Sequence, residues 1–110
     1  MSTTTIKVLG QIKSALTTLE SVYAVPASTE ATVSTITVCN QSSVATSFRI
    51  LVDPANAGTL PENYIYYDVA IAGNDTFACT FGITLQALSV IRVYATLATL
   101  SFNVYGVEIS

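Results

Sequence analysis

The chain has no histidine, and its 110 residues include only four basic and seven acidic ones. The first absence removes the side chain most used for general acid–base work at neutral pH and for metal ligation. It also leaves the two cysteines without the usual partner for activating a thiol or completing a zinc site. The four cations, Lys7, Lys13, Arg49 and Arg92, are scattered along the sequence. Binding a phosphate backbone takes a cluster of Lys and Arg that displaces counterions, so direct nucleic-acid binding is not expected. No run approaches the roughly 18 apolar residues that span a bilayer, and no membrane contact is expected. The first ten residues lack the basic start and continuous apolar stretch of a signal peptide, which implies synthesis and folding in a cytosol.

What is present is apolar and β-forming. Hydrophobic residues make up 51% of the chain and charged ones 10%, against about 25–35% charge on a typical soluble surface. Ser and Thr keep part of the surface wet. The rest of the deficit implies that much of the surface meets a partner, and a homo-oligomer is the expectation. The length fits a single domain over residues 1–110, with polar residues 1–5 expected to form a frayed arm.

Short β-branched and aromatic runs alternate with Pro, Gly, Asn and Asp signals. Strands are predicted near Ser14–Ala24, Glu30–Asn40, Ala45–Asp53, Tyr64–Ile71, Thr76–Ile83, Val90–Ala95 and Leu100–Ile109. A further strand at Ile6–Ile12 would make eight. The fold class is therefore all-β, a jelly-roll-like antiparallel β-sandwich of seven to eight strands. Alternation places Phe48, Ile50, Phe77, Phe81, Ile91 and Val93 in the core. In Glu30–Asn40 the apolar set changes parity between Val33 and Ile36, which a regular ladder cannot sustain, so a bulge is predicted near Ser34–Thr35. Cys39 and Cys79 are read as inward, free and buried.

Two segments are apolar on both faces, Tyr64–Ile71 and the second half of Leu100–Ile109. A two-layer sandwich buries one face of each sheet, so the surplus face is expected at an interface. The candidate interface residues are Tyr64, Tyr66, Tyr67, Tyr105, Val107 and Ile109. Tyr64 and Tyr66 are expected to share a face; packing or an interface is preferred for them over a sugar platform. Asp53, Glu62, Asp68 and Asp75 match no ligand-loop spacing, and Asp53 and Asp75 are assigned to turn hydrogen bonds. Arg49 is expected either to pair with an acid or to be solvated. No catalytic residue, cofactor or metal site is predicted.

The stretches Lys7–Gln11, Ser21–Pro26, Val38–Ser42, Thr46–Ile50, Tyr64–Asp68, Asn74–Phe77, Gly82–Leu85 and Ser101–Gly106 together resemble small β-sandwich structural proteins of tailed bacteriophages, particularly those of cyanobacterial and related hosts. The resemblance covers nearly the whole chain in order, departs at Leu88-Ser89, and carries no catalytic residues. It implies a virion structural protein, foremost a capsid decoration (cement) protein, a homotrimer bound to the major capsid protein on the capsid exterior. A tail or fibre component contacting the host surface is the alternative, and a carbohydrate-binding module a third.

Overall fold

The computed structural model describes residues 3–15, 17–56 and 58–110; the side chains of Ala55 and Phe81 lie outside the description, so the core assignment of Phe81 does too. Eight strands follow one another: β1 (Thr4–Lys13), β2 (Glu20–Ala24), β3 (Glu30–Asn40), β4 (Thr46–Asp53), β5 (Tyr64–Ile71), β6 (Thr76–Leu85), β7 (Val90–Ala95) and β8 (Leu100–Ile109). Two short 3₁₀ turns, Pro54–Asn56 and Pro61–Asn63, lie between β4 and β5. Among the described residues there is no α-helix.

The strands form two antiparallel four-stranded sheets, β1-β8-β3-β6 and β2-β7-β4-β5. Strand β1 pairs with β8, β2 with β7, β3 with β6 and β4 with β5, as though one long hairpin had been wound around a barrel axis. Pairings β3–β8 and β4–β7 then join the layers of that winding. This is the jelly-roll topology, as the strand pattern predicts.

The N-terminal part departs from expectation in two ways. Ser14–Ala24 is not one strand: β1 runs on to Lys13, and the chain crosses to the other sheet before β2 begins at Glu20. The crossing is fixed by Ser14 N donating to Leu100 O and Ala15 N to the Glu20 carboxylate. The supposed arm is paired from Thr3 onward, since Thr3 and Ser110 exchange both backbone hydrogen bonds; Met1 and Ser2 lie outside the described residues.

The core lies between the sheets and contains Val33, Ile36, Val38, Phe48, Ile50, Ile91, Val93, Leu100, Phe102 and Val104, all essentially without exposure. Phe48 is its centre, with ring centroids of Phe77, Phe102 and Tyr66 at 5.3, 6.2 and 6.4 Å in tilted or edge-on contact, geometries aromatic rings favour. At Gly10, β1 passes so close to β2 that a Cβ would collide with the Val22 carbonyl, so only glycine fits there.

Breaks in register decide which side chains face outward. The predicted bulge falls at Ser34: pairing jumps between Val33 and Thr35 against both neighbours. Strand β5 is irregular twice against β4. Phe48 pairs with Val69, Ile50 with Tyr66, and Leu51 with Tyr64. Arg49 therefore faces two residues, Tyr67 and Asp68, while Ile65 is an extra residue between Tyr66 and Tyr64. Each inserted residue flips the alternation. Tyr66 thus points inward against Phe48 and Phe77, whereas Tyr64 lies outside beside Tyr67; the two do not share a face as expected. Cys39 is also corrected. It pairs with Thr76 and Ser101 on the outer side of its sheet and is half-buried, while Cys79 alone is inward. The position follows from the Ser34 bulge, after which Ile36 and Val38 take the inward positions.

Candidate functional site

The outer face of β1-β8-β3-β6 can be read row by row from its register. Thr4, Ile109 and Glu30 form the first row. Ile6, Val107, Thr32 and Thr84 form the second, and Val8, Tyr105, Thr35 and Thr80 the third. Gln11, Asn103, Thr37 and Ala78 follow, then Lys13, Ser101, Cys39 and Thr76. Only Glu30 and Lys13, at opposite ends, carry charge. Between them the surface is threonine-rich and neutral, with an apolar cluster of Ile6, Val8, Tyr105, Val107 and Ile109 over β1 and β8. Ile6 is 84% exposed, Val8 46% and Ile109 37%. β-Branched residues favour a strand whichever way it faces, so local preference accounts for the strand and not for leaving Ile6 in water.

The opposite outer face, of β2-β7-β4-β5, is built differently. Leu51 and Asp53 point to the outer side of β4, yet both are fully buried; the turn Pro61–Asn63 lies against β4, and Pro54–Asn56 lies against β7. The Asp53 carboxylate accepts hydrogen bonds from Gly58 N at 3.2 and 3.3 Å and from Arg92 Nη2 at 3.2 Å. Arg92 also donates to Asn56 Oδ1 at 2.6 Å, and Asn63 Nδ2 donates to Gly58 O at 3.1 Å. Beside these turns, Arg49 lies between two rings, with its guanidinium carbon 4.2 Å from the Tyr67 centroid and 4.5 Å from that of Tyr94. It donates through Nε and Nη2 to Asp68 at 2.6 and 3.3 Å. The bond to Asp68 holds the guanidinium in its charged form more firmly than usual. Of the two alternatives open for Arg49, pairing with an acid is the one present. A concavity of about 530 Å³ adjoins it, lined by Thr59, Leu60, Pro61, Tyr64 and Tyr67.

At one end of the sandwich, Tyr23 Oη donates to Glu108 Oε2 at 2.6 Å and Lys7 Nζ to Glu108 Oε1 at 3.2 Å. The phenol of Tyr23 is pushed up, first by burial and then by this bond. The same hydrogen bond is the main cause that lowers the Glu108 carboxyl, with Lys7 adding to it. The group ties β2 to β8 and β1, and so one sheet to the other.

The six candidate interface residues therefore do not form one patch. Tyr105, Val107 and Ile109 lie together on the neutral face, Tyr64 and Tyr67 lie on the opposite one, and Tyr66 packs at the edge of the core. Ile6 and Val8 were missed, although the alternation Thr4, Ile6, Val8 around Lys7 was a readable signal. Asp75 accepts from Thr76 N at 2.9 Å and Asp53 from Gly58 N, the turn bonds expected of them. Among the described residues, no three His, Cys, Asp or Glu side chains gather as a metal site would require.

No protein-family model and no curated sequence matches the chain. Solved structures do match its fold. One is a chain in the acid-stable capsid structure of Helicobacter pylori bacteriophage KHP30, with TM-score 0.56 and 10% identity, covering 100% of this chain and 94% of that one. Two others come from infectious bursal disease virus. In the T13 viral particle the TM-score is 0.54 with 9% identity, over 99% of this chain and 30% of that one. In the Gx strain it is 0.52 with 7% identity, over 99% and 31%. The chain thus spans under a third of the bursal disease virus chains, and at these identities the likeness is one of fold.

Proposed function

We propose that the protein is a structural component of a bacteriophage virion, a capsid decoration (cement) protein that associates as a homotrimer and binds the major capsid protein. The observation that carries this reading is the neutral outer face of β1-β8-β3-β6, where Ile6, Val8 and Ile109 are exposed on the isolated chain and Tyr105 and Val107 are half-buried beside them. Exposed apolar clusters on an otherwise threonine-covered sheet mark protein contacts. Threonine hydroxyls can form hydrogen bonds across such a contact without the large desolvation penalty of charges. The fold supports the same reading. In the KHP30 capsid structure this fold accounts for 94% of one chain, so there a sandwich of this size makes up nearly a whole chain.

Closed rotational symmetry is the economical way for identical chains to hide such a face. A standard contact buries about 800 Å² per partner, and at about 25 cal/mol per Å² the gross hydrophobic gain is about 20 kcal/mol, much of it offset by lost rigid-body freedom. Three joined subunits would then hold the capsid through individually weak contacts, because each engaged subunit raises the effective concentration of the next.

The test is copy number and loss of function on particles. High copy number on heads, and heads that burst at lower temperature without the protein, are the expected results. A few copies per particle with unchanged heat resistance would refute decoration and point to the tail or fibre alternative.

A further inference from the structure

The second outer face carries a different feature, independent of the oligomer. We infer that the corner formed by Tyr64, Tyr67 and Thr59–Pro61 is a carbohydrate site that takes a neutral pyranose. The two tyrosine rings meet edge to face at 84°, with centroids 5.1 Å apart, and form one aromatic corner. The concavity of about 530 Å³ falls within the roughly 300–1,000 Å³ of small-molecule sites. Tyr67 is 58% exposed although the Arg49 guanidinium lies over its ring.

The corner is set before any ligand arrives. Asp53, with no exposure, anchors Gly58, and Asn63 clamps the same turn from its other side. Little ordering is therefore left to oppose binding. Next to Tyr67, the Arg49–Asp68 pair offers what vicinal hydroxyls need. A guanidinium has five N–H donors and a carboxylate about four acceptor sites, and the hydrogen bonds between Arg49 and Asp68 use two donors. Donors and an acceptor remain side by side, with Asp68 half exposed. Because the pair is neutral overall, it favours an uncharged sugar over an anion.

Asp68 sits at φ 51° inside a strand, a left-handed conformation that Asp adopts more readily than most residues. That conformation, in the bulge opposite Arg49, is what sets Tyr67 and Asp68 on one side together. Apolar ring faces with a polar rim suit the two-sided chemistry of a pyranose, whose C–H faces stack while its hydroxyls bond. A flat protein partner would fit the opposite sheet face better than this corner.

The experiment uses the full chain, titrated with the methyl glycosides of glucose, galactose, mannose and N-acetylglucosamine, and reads the tyrosine ring resonances by NMR. At least one glycoside should give saturable shifts confined to Tyr64 and Tyr67, with Kd about 1 mM. Tyr67→Ala should weaken it at least tenfold. Asp68→Asn, which keeps a residue tolerant of positive φ, should do the same while the fold is preserved. Val44→Ser, at an exposed loop position outside both faces, should leave sugar binding unchanged. No saturable shift with any of the four glycosides, or equal binding by both site variants, would overturn the inference. So would a wild type that ignores sugars but dissociates on Tyr67→Ala, since the corner would then be a contact between copies.

Discussion

Replacing Ile6 by aspartate separates association from folding. Ile6 is 84% exposed on the isolated chain, so nearly all the benefit of covering it belongs to the complex and almost none to the monomer. Fully burying an aliphatic side chain of this size is worth about 1.5–3 kcal/mol. Loss of the side chain alone, as in Ile6→Ser, should therefore forfeit about 2 kcal/mol per contact, a weakening of about 30-fold at each. Aspartate adds the penalty of dehydrating a carboxylate, several kcal/mol when no cation is at hand. The one basic residue on that face is Lys13, at the far end of the sheet. Ile6→Asp should thus be monomeric by multi-angle light scattering wherever the wild type is a trimer. Its dilute monomer should unfold within about 4 °C of the wild-type monomer, because exposed substitutions stay within about 0.5 kcal/mol. Thr59→Asp, on the opposite face, should leave the mass unchanged. A trimeric Ile6→Asp, or dissociation by Thr59→Asp alone, would refute the placement of the interface.

Phe48→Ala should cost about 3–5 kcal/mol in urea unfolding, since the ring has no exposure and packs among aliphatic and aromatic core residues; a loss below about 1 kcal/mol would contradict its central position. Arg92→Ala should destabilise the fold by about 3 kcal/mol, because it strips the cation from the unexposed Asp53 carboxylate, and should raise proteolysis between Pro54 and Asn63 first. Glu108 titrates below its usual value in the folded chain, so its contribution is complete above the unfolded pKa of about 4.3 and is lost as pH falls through the lower folded value. Tyr23→Phe removes the main cause and should flatten the acid side of the urea-midpoint profile; an unchanged profile would refute that assignment. A thiol reagent should modify Cys39 in the native protein and Cys79 only on unfolding, because burial raises the Cys79 thiol and shields it; equal rates would refute this.

Where alternation is uninterrupted, the sequence is easy to read. Phe48, Ile50 and Val52 in β4, and Ile91 and Val93 in β7, follow the two-residue period into the core. The Ser34 bulge was legible because apolar residues stand on both sides of the break, so the change of parity is written in the composition. The breaks in β5 were not legible, because every residue from Tyr64 to Tyr67 is apolar or aromatic and no parity stands out. A plain two-residue period sets Tyr64 and Tyr66 on one face, and the inserted Ile65 separates them. Cys39 was misplaced because a small apolar side chain fits either side. Half of the neutral face was visible in Tyr105, Val107 and Ile109. The other half, Ile6 and Val8, was readable in the alternation around Lys7, but its joining to Val107 and Tyr105, about a hundred residues away in sequence, is written in no local pattern. The division between Ser14 and Glu20 was hidden for a related reason: Thr17, Thr18 and Val22 favour strand wherever tertiary structure leaves the choice open.

Strand β8 lies between β1 and β3, in the interior of its sheet, although it is the eighth strand to be synthesised. Until residues 100–109 emerge from the ribosome, β1 has no partner and the β3 ladder is exposed along one side. The nascent chain must therefore wait, unable to close its first sheet, with two unpaired strand edges available to neighbouring chains. Pairings between strands so distant in sequence also slow folding, because loop closure precedes the contacts that compensate for it. High-level expression should thus be limited by encounters among unfinished chains, and slower synthesis at lower temperature should raise the soluble yield more than any change to the finished surface.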